Sequence, residues 1–110
     1  MPVQEDLEHL SLLRDAVLYC AADLIARQGW SRRGSRPQLC ITQALADVTG
    51  FRDDTEMGSV PDRVSTAAIL AVLDRIGGEY IADVFEWESE AGRTQDDVLS
   101  LLRAAASGTS

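Results

Sequence analysis

Residues 64–78, V-S-T-A-A-I-L-A-V-L-D-R-I-G-G, decide the fold. Val64, Ala67, Ala68, Ile69, Leu70, Ala71, Val72, Leu73 and Ile76 cover more than one face at a period of 3.6 residues, so a helix formed here must be packed on several sides. Asp62 or Ser65 is placed to cap its start by accepting hydrogen bonds from free backbone N–H groups. Gly77-Gly78 stops it, because glycine enters the left-handed conformation without steric cost. The reading predicts a central apolar helix over 62–76, with the other elements wrapped around it.

Working towards the N-terminus, Leu10, Leu13, Val17, Cys20, Ala21, Leu24 and Ile25 recur at spacings of three and four, which predicts a first helix over about 6–28. Gly29 ends it, and Trp30 stands where an apolar residue folds back on a last helical turn. Residues 31–37, S-R-R-G-S-R-P, read as a loop. Together with Arg27, its Arg32, Arg33 and Arg36 are the only basic concentration in the chain. Arginine forks suit a carboxylate or a phosphate, so these three form a candidate anion site, set against a loop that is simply solvated or paired within the chain. A second helix is expected over 38–49, with Leu39, Cys40, Ile41, Ala44, Leu45 and Val48 inward. A turn-rich acidic connection then leads to the central helix.

Towards the C-terminus, Tyr80, Ile81, Val84 and Phe85 share one helical face, and Trp87 closes it. Glu86, Glu88 and Glu90 alternate along this segment as a charged rim or as paired carboxylates. Thr94 then opens T-Q-D-D, in which Asp97 falls at the third helical position of a capping box. The last helix buries Val98, Leu101, Leu102 and Ala105. Nothing alternates at period two. The fold class is therefore all-α: one domain of about five helices over 1–106, with a frayed tail at 107–110.

The chain has 110 residues, enough for one modest core. Eighteen acidic residues oppose ten basic ones, and every basic residue is arginine. A net charge of −8 disfavours direct nucleic-acid binding, which needs a concentrated positive field. The absence of lysine reads as the coding bias of a GC-rich genome. No apolar run approaches the roughly 20 residues that span a bilayer, and the acidic N-terminus is unlike a signal peptide, which predicts no membrane and a cytoplasmic address. Cys20 and Cys40 are expected to be buried, reduced thiols, a Cys20–Cys40 disulfide and a reactive thiol being the alternatives.

The ending W-E-S-E-A-G-R-T-Q-D-D-V-L-S-L-L-R-A-A at 87–105, taken with Gly29-Trp30 and Cys40, resembles a family of small actinobacterial and phage proteins known only as a domain of unknown function. The shared positions would be Gly29-Trp30, Cys40, Trp87, Arg93-Thr94 and Val98. Where that family has Trp-Asn-Asp, this chain has Trp87-Glu88-Ser89. The resemblance implies a helical fold and an origin; it implies no activity.

Catalytic chemistry finds few residues to use. His9 is the single histidine and lies about three turns from Cys20 on the same helix, out of hydrogen-bond reach. One histidine and two separated cysteines do not make a zinc set, and no glycine-rich phosphate loop occurs, so no cofactor is expected. The leading reading is a small acidic interaction module, with a phage-encoded protein directed at a host factor as one form of it, that binds another protein through Trp87, Glu86, Glu88, Glu90 and Arg93. A second is an acidic decoy that competes with nucleic acid for a basic protein. A third is a small-ligand binder or enzyme built on Arg32, Arg33 and Arg36. A homodimer through the central helix is also admitted.

Overall fold

The computed structural model describes residues 3–33 and 35–107, with side chains from His9 to Ala106 apart from residue 34. The described residues form five helices: α1 (Val3–Gln28), α2 (Ile41–Thr49), α3 (Val60–Ile76), α4 (Ile81–Ser89) and α5 (Gln95–Ser107). The all-α reading holds. Of the expected tail, residues 108–110 lie outside the described residues, and Ser107 ends α5.

Helix α3 packs against all four of the other helices. Val64, Ser65, Ala68, Val72 and Leu73 are its buried residues, while Leu70 remains 57% exposed. The helix starts two residues earlier than expected, and neither proposed cap serves it. Ser59 occupies the N-cap, and Pro61 sits in the first turn, where its fixed φ fits and its missing N–H is no loss. The Asp62 carboxylate reaches back to accept the Gly58 N–H at 2.8 Å, and Ser65 is buried inside the helix. The stop is as expected. Gly77, at φ 71°, donates to the Leu73 carbonyl, and the Gly78 N–H reaches the same oxygen at 3.0 Å. Gly78 also lets α4 come close, since a Cβ there would lie 2.8 Å from that of Asp83.

Helix α1 packs on α5, α2 and α3. It buries Leu18, Ala21, Ala22 and Ile25 completely, where two alanines let neighbouring backbones approach. The predicted stripe was rotated from this one. Leu13 is 45% exposed, and Cys20 faces out. The cause is a second apolar stripe on the far side of the same helix, so periodicity alone offers two candidates for the inner face. Both cysteines are free, and only Cys40 is buried.

Helix α2 begins at Ile41 rather than Gln38 because the backbone just before it is used otherwise. Leu39 pairs in parallel with Trp30: the Leu39 N–H donates to the Gly29 carbonyl at 3.0 Å and the Ser31 N–H to the Leu39 carbonyl at 3.2 Å. Gly29, at φ 92°, turns the chain out of α1 into this pairing. Leu39, Ile41, Ala44 and Leu45 then enter the core.

Helix α4 corrects the sequence reading most. Tyr80 (70%), Ile81 (47%) and Phe85 (44%) are exposed, whereas Val84 and Glu88 are buried and Trp87 is half-buried against the core. Nine residues present only a narrow strip to the interior, and that strip runs through positions 84 and 88, one turn apart. At the start of α5 the capping box is present. The Asp97 N–H donates to Thr94 Oγ1 at 3.2 Å, and the Thr94 N–H to Asp97 Oδ2 at 3.0 Å. Val98, Leu99, Leu102, Ala105 and Ala106 are buried behind it, while Leu101 is half-buried. No helix among the described residues is long and apolar enough to cross a membrane.

Candidate functional site

Glu88 is fully buried, although it was read from the sequence as part of a solvated rim. An α-helix advances 100° per residue, so Glu88 shares a face with Val84 and not with Glu86 or Glu90, which are both exposed. Its Oε2 accepts the Trp30 indole N–H at 2.8 Å and the Ile41 backbone N–H at 3.0 Å. Ile41 is the first residue of α2, and the side chain of the N-cap residue Cys40 makes no capping hydrogen bond. A carboxylate from α4 therefore does the capping, and its negative charge suits the positive end of the α2 dipole. Oε1 has no hydrogen-bond partner among the described residues. Burial pushes the Glu88 carboxyl above its ordinary range, and the two donated hydrogen bonds oppose that shift without cancelling it.

The surroundings hold this arrangement from both ends of the chain. The Trp30 backbone N–H donates to Gln95 Oε1 at 2.9 Å. Arg32 donates from Nε to the Glu88 carbonyl at 3.1 Å and from Nη2 to the Glu90 carbonyl at 3.2 Å, with its guanidinium 5.7 Å from the Trp30 ring centre. Arg93 lies over the Trp87 ring at 3.7 Å, donates to the Trp87 carbonyl at 2.8 Å and pairs with Glu90. The two arginines thus donate to the carbonyls that α4 leaves open at its C-terminus.

The three residues of the expected anion site do not converge. Arg32 is committed to the end of α4, and Arg36 forms a two-pronged pair with Asp47 on α2, both contacts at 3.0 Å. That pairing holds the Asp47 carboxyl below its usual range. Arg33 stands exposed in the loop.

A second feature lies on the outer side of α4. A groove of about 700 Å³ runs between the end of α3 and α4, lined among others by Glu79, Tyr80, Asp83, Glu86, Trp87 and Glu90. Asp83 Oδ2 accepts the Glu79 and Tyr80 backbone N–H groups at 2.7 and 2.9 Å, which lowers its pKa and keeps it ionised. Glu79 and Glu86 are exposed. Of the expected partner-binding residues, Trp87, Glu86 and Glu90 border this groove, Arg93 supports it from behind, and Glu88 is excluded by its burial. Among the described residues no three histidine, cysteine or carboxylate side chains are grouped to hold a metal ion.

Residues 12–108 match a family described as a family of unknown function, DUF6197. The chain belongs to this family. No curated protein and no solved structure matches it. In this DUF6197 member most of the positions that carried the resemblance lie at the Glu88 site or at helix ends. Trp30 and Cys40 flank the Glu88 carboxylate, Trp87 and Arg93 close the α4 terminus, Thr94 caps α5, and Val98 lies in the core.

The Glu88 site carries a pH signature. Its folded pKa is raised, so the folded chain holds a proton that the unfolded chain has released between the ordinary glutamate range and the raised value. The associated stability is fully present below the ordinary range and is lost as pH rises through the folded pKa. Asp47 and Asp83 have lowered pKa values and act in the opposite sense, losing their contribution as pH falls. Melting temperatures of the wild-type chain and Glu88→Gln, taken between about pH 4 and 8, should differ most in favour of wild type at the acid end of the Glu88 window. A difference that stays flat with pH would show that Glu88 does not titrate in the folded protein.

Proposed function

We propose that this protein is a small acidic interaction module, and that the groove between α3 and α4 receives a basic segment of a partner protein. The observation that carries this reading is the composition of the groove: exposed Glu79 and Glu86, ionised Asp83, and the aromatic surfaces of Tyr80 and Trp87 in one concavity. Carboxylates beside aromatic faces suit arginine and lysine side chains, which combine ion pairing with stacking. The protein itself makes the same contact, with Arg93 over Trp87 and paired to Glu90. The absence of lysine and the acidic composition fit a cytoplasmic protein of an actinobacterium or its phage, with a host factor as partner.

The test is titration with an arginine- and lysine-rich peptide followed by tryptophan fluorescence, together with capture from an actinobacterial lysate at low and high salt. Binding should weaken with salt, because exposed charges are screened. It should also fall roughly fivefold in the double variant Glu79→Gln, Glu86→Gln, at under about 1 kcal/mol for each rim charge. Affinity that ignores salt, or a peptide and a lysate that both leave the protein free, would remove the proposal. A captured nucleic-acid-binding protein that DNA displaces would favour the decoy form of the same reading.

A further inference from the structure

The outer face of α1 carries an exposed apolar strip, Leu12, Ala16 and Tyr19, bracketed by His9 and Asp23 and uncovered by the other described residues. His9, Leu12, Ala16, Tyr19 and Asp23 recur at alternating spacings of three and four residues, the a/d repeat of a coiled coil, and all five face away from the core. Leu12 is 68% exposed and Tyr19 45%, with Leu13 (45%) and Cys20 flanking them. This stripe lies opposite the one that Leu18, Ala21, Ala22 and Ile25 bury, so α1 is apolar on two sides, more than one monomer uses.

We infer that α1 pairs with α1 of a second copy, antiparallel, with the two-fold axis at Ala16. The small side chain at the centre lets the backbones meet closely. That register sets Leu12 against Cys20 and Leu13 against Tyr19 of the second copy. Charge selects the orientation. Antiparallel pairing places Asp23 opposite His9, whereas parallel pairing sets Asp23 against Asp23. Shape agrees with it. Leu13 borders a groove of about 160 Å³ whose other walls are His9, Leu10, Val60, Arg63 and Val64, and Leu13 is the residue that the second copy's Tyr19 meets. The ring enters this groove and covers Val60, which is 61% exposed in the monomer.

Sedimentation velocity across a concentration series, combined with disulfide trapping, tests the pairing. Wild type should approach twice the chain mass. The double variant Leu12→Glu, Tyr19→Glu should stay at the monomer mass with an unchanged circular dichroism spectrum, since both positions are exposed. Under mild oxidation Ala16→Cys in a Cys20→Ser background should cross-link. Cys20 in the wild-type chain should not, because the two copies lie about 12 Å apart along the axis at ~1.5 Å per residue, beyond the roughly 7 Å limit for Cα atoms of a disulfide. A wild-type chain that stays monomeric, a dimer that survives the double variant, or cross-linking through Cys20 instead of position 16 would each overturn the inference.

Discussion

Replacing Glu88 with alanine should cost on the order of 3 kcal/mol of folding stability. Two donors, the partly buried Trp30 indole N–H and the buried Ile41 backbone N–H, lose their acceptor at once. A buried donor left unsatisfied costs about 1–3 kcal/mol, and truncation leaves a cavity between α4 and α2. Relief from holding a carboxylate in the interior offsets part of this loss. Glu88→Gln is the informative companion, since its carbonyl oxygen can still accept both hydrogen bonds without a charge to desolvate. It should lie within about 1.5 kcal/mol of wild type. Urea unfolding of the three proteins provides the comparison. An alanine variant that loses less than about 1 kcal/mol would mean that α2 does not depend on this cap. Hydrogen exchange adds a local readout, because the amide of Ile41 should lose protection in Glu88→Ala before the amides of α5 do.

The second large effect is expected at Trp30. Trp30→Ala removes an aromatic body packed against the core as well as the hydrogen bond, and should cost about 3 kcal/mol, towards the low end for a tryptophan because the ring is only half-buried. Trp30→Phe keeps most of the ring and removes only the donor. That change should cost about 1.5–3 kcal/mol, the range of a hydrogen bond to a charged group, and push the Glu88 carboxyl further up by deleting one of the two contacts that hold it down. Combined in a double-mutant cycle with Glu88→Ala, which removes the acceptor, it should show a coupling of about 1 kcal/mol. Additive losses would mean that the 2.8 Å contact contributes nothing specific.

Much of the scaffold was legible in the sequence because it depends on local chemistry. The Gly77 stop, the Thr94–Asp97 capping box and the turn at Gly29-Trp30 follow from residues a few positions apart. The inner face of α1 was not legible. Leu13 and Cys20 on one side compete with Leu18 and Ala22 on the other, and a helix apolar on both sides does not announce which side a monomer buries. Glu88 was missed for a different reason. Its alternation with Glu86 and Glu90 suggested a charged edge, although helical geometry groups it with Val84. The spacing of four between Val84 and Glu88 was the available signal. Its partners could not be read at all, since Trp30 is 58 positions away and Ile41 47. For the Arg32–Arg33–Arg36 loop the sequence left an anion site and internal pairing both open, because the acceptors for Arg32 and Arg36 come from the end of α4 and from α2.

The parallel pairing of Trp30 with Leu39 bears on how the domain comes apart. It closes the 30–39 loop onto itself, and one side of that closure carries the indole that holds Glu88, while Ile41, two residues past the other, carries the first amide of α2. Loop, helix start and distant carboxylate therefore share one fate. Loosening any one of them releases donors or an acceptor that the other two have no means to satisfy. A segment that looks like a surface connection consequently behaves as a latch between the two halves of the chain, and its loosening frees the start of α2 and the end of α4 together.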